Sequence, residues 1–88
     1  MKYSVVCIDL RNRNSSYTFA TQSEAFRFAE CQADYQEREY ASRFGKNSVS
    51  ILRYPFEYVI RLFVEKHMEF PVIVARYCIE EIAEDGSR

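Results

Sequence analysis

The side chains that could do chemistry are few and far apart. One histidine, His67, and three cysteines, Cys7, Cys31 and Cys78, are the groups suited to nucleophilic catalysis or soft-metal binding. A Cys–His dyad needs both partners within hydrogen-bond reach, and no spacing in the chain arranges that. His67 stands near the end of a segment, where a positive charge would suit a helix C-terminus. The cysteines are odd in number, form no Cys-x-x-Cys pair and lie in apolar or helical contexts, which predicts free, buried thiols rather than a disulfide framework. Carboxylates pair at Glu80-Glu81 and at Glu37 with Glu39. Neighbours on a strand point to opposite faces, and acidic runs near a terminus are normally solvated, so both pairs read as surface charge. No His/Cys/Asp set converges, so no metal or cofactor is expected. Two glycines, Gly45 and Gly86, supply neither a phosphate-binding loop nor a nucleophile elbow. The expectation is a protein that is not an enzyme.

Two groups of residues could bind rather than react. Arg11 and Arg13 flank Asn12, with Asn14 and Tyr17 following, so planar guanidinium groups and amides could meet phosphates and bases. Tyr3, Tyr17, Phe19, Tyr54 and Tyr77 fall on strand-like segments, where aromatic rings can stack on unpaired bases. Arginine outnumbers lysine nine to three, but a net charge of −1 lacks the positive field that dominates nucleic-acid affinity. The second group lies on a predicted helix. Phe28, Cys31 and Tyr35 form an apolar stripe roughly 100° from the stripe that would face a sheet. Glu30, Asp34 and Glu37 lie on its exposed side, able to meet a basic groove.

The leading expectation is therefore a small non-catalytic protein-interaction module that occludes a partner protein through Phe28, Cys31, Tyr35, Glu30, Asp34 and Glu37. Compact acidic proteins of phages and mobile elements that block host nucleic-acid machinery are similar to it in size and composition, which makes nucleic-acid-processing proteins the favoured target class and a viral inhibitor the favoured type. The alternative is an RNA- or single-strand-binding module using Arg11, Arg13 and Tyr17. Either would allow a homodimer, because a small sheet with open edges can pair with itself.

The elements that must position these residues can be followed along the chain. Residues 3–10 alternate partially as a strand with neither face wholly polar, which suits a central position in a sheet. Polar residues 11–16 turn the chain, and residues 17–20 resume a strand. Thr21-Gln22-Ser23-Glu24 fits a capping box, so a helix starts there and runs from about Gln22 to Phe44. Ala25, Phe26, Ala29, Ala33, Tyr40 and Phe44 form its sheet-facing stripe, and Gly45 stops it. Residues 48–54 form a strand ended by Pro55.

Residues 56–67 are ambiguous. Phe56, Val59, Ile60, Phe63 and Val64 fit helical spacing, and Glu57, Arg61 and Glu65 give alternating charges four apart, which favours helix over strand. Residues 70–79 make the strongest strand, followed by an acidic tail expected to be loose from residue 83. The order is β-β-α-β-α-β, or β-β-α-β-β-β if residues 56–66 extend. Both give an α+β domain in which one long helix covers a mostly antiparallel sheet, of three to four strands in the favoured β-β-α-β-α-β order.

Composition sets the outer limits. The chain has 88 residues, 48% hydrophobic and 28% charged, with 12 Lys plus Arg against 13 Asp plus Glu. A fold of this length removes roughly 60–65% of the surface its unfolded chain exposes, room for one core and a single domain over residues 1–88. No apolar stretch is long enough for a signal-peptide core or a membrane span, so a cytoplasmic protein without membrane contact is expected.

Overall fold

The capping box starts the helix where the sequence places it. In a computed structural model that describes residues 2–63 and 70–82, helix α1 spans Gln22–Phe44. Thr21 Oγ1 accepts from the Glu24 amide at 3.1 Å, and Glu24 Oε1 accepts from the Thr21 amide at 3.1 Å. At the far end Gly45 adopts φ 97°, a backbone state that strains any residue with a Cβ, and its N–H donates to Ala41 O at 2.8 Å. Ala25, Ala29 and Ala33 are completely buried. Four-residue spacing of so small a side chain lets the helix axis approach the sheet closely.

Five strands make that sheet: β1 (Lys2–Asp9), β2 (Asn14–Phe19), β3 (Val49–Tyr54), β4 (Glu57–Leu62) and β5 (Val72–Ile82). Their order is β2-β1-β5-β4-β3, with every neighbouring pair antiparallel. Strand β1 is interior, flanked by β2 and β5, and the central strand is β5. The length of α1 follows from this order, because it leaves one edge strand, β2, and must deliver the chain to the other, β3. Four strand spacings span about 19 Å, and a helix of 23 residues reaches about 35 Å.

Register divides the strand residues between two faces. Val5, Tyr77, Ile79, Tyr58, Ile60, Leu62 and Val49 lie beneath the helix and form the core with its alanines. Between β4 and β5, Ile60 pairs with Ala75 and Arg61 with Ile73, so Val74 is the extra residue of a bulge, and both Val74 and Ala75 are buried. The opposite face, with Val6, Ile8, Leu52, Val59, Arg61, Arg76 and Cys78, is covered by no other element among the described residues.

The α+β architecture with a long helix on one face is as expected, but the sheet has five strands rather than three to four. The difference lies in residues 57–62, read above as helix and folded as β4. Strand alternation puts Tyr58, Ile60 and Leu62 under α1 and Glu57, Val59 and Arg61 on the other face. The charge ladder that favoured helix is satisfied across strands instead, through Glu57 with Arg76 and Arg61 with Ser50. Val59, on the face away from α1, is only 3% exposed. Strand β2 begins at Asn14, three residues earlier than expected, since the turn before it is tight. The thiols are free, yet none is fully buried: Cys7 and Cys78 are half-buried and Cys31 is exposed. Phe44, placed in the core stripe, is exposed at the end of the helix. His67 and residues 83–88 lie outside the described residues. Among the described residues no helix is long and apolar enough to cross a membrane.

Candidate functional site

The turn joining β1 to β2 is built around one carboxylate. Asp9 accepts from the Arg11 amide at 3.0 Å, the Arg13 amide at 2.9 Å and Arg13 Nε at 2.8 Å. Asn12 takes φ 63°, a state that asparagine tolerates better than most side chains, and its amide donates to Asp9 O at 2.9 Å. The Arg13 amide above all, with the Arg13 guanidinium and the Arg11 amide, holds the Asp9 carboxyl below the ordinary carboxylate range. The tip is therefore shaped by a charge that is present throughout the neutral range.

Helix α1 starts beside the end of β2 and ends before β3, and it packs on this hairpin early in its course. There Phe28 packs on Tyr17 and Phe19, with ring centroids 4.8 and 5.1 Å apart. On the side toward β3 and β4, Phe26 packs on Phe56 at 5.7 Å. Further along, the helix moves away from β2 toward β3, and a cleft of about 720 Å³ opens between helix and hairpin. Cys7, Ser15 and Tyr77 form its floor, Gln32, Gln36 and Tyr40 its helical wall, and Leu10, Arg11 and Arg13 its rim.

The floor is neutral at physiological pH. Burial pushes the Tyr77 hydroxyl up to about 12, with the amide of Gln36 acting in the opposite sense. Burial also raises the Cys7 thiol, partly offset by the hydroxyl of Ser15 on the paired strand. A thiol held in its protonated form is a poor nucleophile. The cleft thus offers hydroxyls, amides and aromatic rings over a neutral base, with the ionised Asp9 carboxylate and the guanidinium groups of Arg11 and Arg13 also on its border.

The two residue sets read from the sequence fare differently. Arg11, Arg13 and Tyr17 all border this one cleft, although Arg13 is held by Asp9 and Tyr17 leans on Phe28 while remaining 47% exposed. The helix set is split. Phe28 is covered by β2 of its own chain, so it does not join the exposed stripe expected of it. Cys31 is exposed and Tyr35 is 53% exposed, its hydroxyl donating to Glu39 at 3.1 Å. Glu30 and Asp34 lie 3.3 and 3.7 Å from the same Arg53 guanidinium on β3, and Glu37 is half-buried further along the helix. Gln32 and Gln36 were not singled out from the sequence, and Tyr40 and Tyr77 were read as core or sheet aromatics. Two glutamines four apart, adjoining the alanine stripe, are the signal that could have marked a polar wall.

Comparison with protein families, with curated proteins and with solved structures finds no match.

Proposed function

We propose that this chain is a non-catalytic binding module that engages another protein through the cleft between the β1–β2 hairpin and α1. The observation that carries the proposal is the cleft itself, a concave site with a neutral hydroxyl and amide lining and with Leu10, 56% exposed, Tyr17 and Arg11 at its mouth. An apolar anchor, a tyrosine and an arginine around a concave hollow are residue types enriched at protein interfaces, and the wall of Gln32 and Gln36 suits the hydrogen-bonding groups of a peptide backbone. The narrower form of the proposal is an inhibitor of the viral kind that occludes a nucleic-acid-processing protein. It rests on acidic charge, and Arg53 already neutralises part of the flank formed by Glu30 and Asp34.

A benzophenone side chain placed at Leu10 tests the site in extract of the cells that carry the protein. One discrete protein adduct is expected, out-competed by excess unmodified protein and not by a Tyr40→Ala, Arg11→Ala variant. Equal adduct yield from a probe at Glu80, on the other face of the sheet, would overturn the proposal.

A second reading is favoured by the gathering of Arg11, Arg13 and Tyr17 on one cleft. In it the ligand is single-stranded nucleic acid, a base stacking on Tyr17 and a phosphate meeting Arg11. Fluorescence polarisation with labelled single strands separates the two: affinity that falls steeply with salt and disappears in Arg11→Ala supports this reading, and silence at low salt removes it.

A further inference from the structure

The two edges of the sheet are guarded unequally. Strand β3 is preceded by a 3-10 turn at Lys46–Ser48, begins with buried Val49, carries Arg53 and is closed by Pro55, all of which discourage pairing with another strand. Strand β2 has none of these devices. Its six residues, Asn-Ser-Ser-Tyr-Thr-Phe, hold no charge, proline or glycine, they show no break in register against β1, and all but Phe19 are exposed.

Which of its backbone groups are available follows from the hairpin. The Asp9 amide donates to Arg13 O, and hydrogen-bonded pairs recur every second residue of an antiparallel ladder. The bonded pairs are therefore Cys7 with Ser15, Val5 with Tyr17 and Tyr3 with Phe19. The N–H and C=O groups of Asn14, Ser16 and Thr18 consequently point away from the sheet. These three residues are centred on Ser16.

We infer that β2 pairs antiparallel with β2 of a second copy of this chain, about a two-fold axis through Ser16. Ser16 meets Ser16 of the second copy and Asn14 meets its Thr18, which uses every outward group in about six backbone hydrogen bonds. The same register sets Ser15 against Tyr17 of the other copy on the helix-covered face. Ser15 lies in the floor of the cleft, so each copy brings a tyrosine to the border of the other's cleft. No like charges are placed opposite each other along the strand. The backbone pairing itself requires no ligand in the cleft.

Sedimentation equilibrium of the full chain between about 5 and 500 μM should give a dimer, and a monomer throughout overturns the pairing. Hydrogen exchange of the unaltered protein gives a second reading that needs no variant. Amides of Ser15, Tyr17 and Phe19 should be protected at every concentration, and those of Asn14, Ser16 and Thr18 only when the dimer forms. A dimer whose Asn14, Ser16 and Thr18 amides exchange freely is built on another surface and also overturns the inference. Ser16→Lys, which sets two positive charges face to face at the axis, should weaken the dimer at least 100-fold. Tyr54→Lys on the β3 edge should leave it unchanged.

Discussion

The two faces of this sheet solve the same problem in opposite ways. Beneath α1 the residues are Val5, Ile60, Leu62, Tyr77 and Ile79, closed by alanines, and burial comes from a second layer of backbone. On the other face no element among the described residues supplies such a layer. Glu57 Oε2 stands 3.3 Å from Arg76 Nε and accepts from Cys78 Sγ at 3.6 Å, while Arg61 donates to Ser50 Oγ from Nε at 3.2 Å and from Nη2 at 3.0 Å and lies 5.7 Å from the Phe63 ring centre. Val59, on this face, is only 3% exposed.

The comparison can be broken most forcefully at Ile60, which is fully buried under α1. Ile60→Ala should cost about 3 kcal/mol in urea unfolding, whereas Leu52→Ala, half-buried on the other face, should cost about 1 kcal/mol. Equal losses would show that the uncovered face is as tightly packed as the covered one. A smaller effect is expected at high pH. Tyr77 has a folded pKa of about 12, above the ordinary value of 10.0, so its contribution is complete below pH 10 and lost as pH rises through about 12. Tyr77→Phe should flatten the stability profile between those values, and an unchanged profile would place the alkaline loss elsewhere. The smallest effect belongs to the ion pair. Arg76 and Glu57 are 50% and 30% exposed, so Arg76→Ala should change stability by less than about 0.5 kcal/mol, and a difference that persists in 1 M salt would contradict an electrostatic origin.

Much of the fold was legible because local chemistry and tertiary outcome agree. Thr21 and Glu24 cap the helix, Gly45 ends it, and Ala25, Ala29 and Ala33 mark its buried side. Residues 57–62 misled because Glu57 and Arg61 are spaced to attract each other on a helix, and only the strands on either side reveal that each has a different partner. Phe28 misled for a similar reason. Its position on the helix wheel is outside the alanine stripe, and nothing local says that Tyr17 and Phe19 will rise to meet it. The cleft was half legible: the arginines and Tyr17 could be grouped by proximity in sequence, whereas Gln32, Gln36 and Tyr77 join them only through the packing of the helix on the sheet.

Strand β5 has a consequence for how this chain reaches its fold. It lies between β1 and β4, and it is the last of the five strands to be synthesised. Until it is added, the hairpin of β1 and β2 and that of β3 and β4 share no hydrogen bond, since each meets the other only across β5. Lys2 pairs with Ile82, so the central ladder closes a loop of nearly the whole chain. Loop closure of that size raises the contact order and slows the search. The last strand made therefore supplies every sheet hydrogen bond that joins the two halves of the fold.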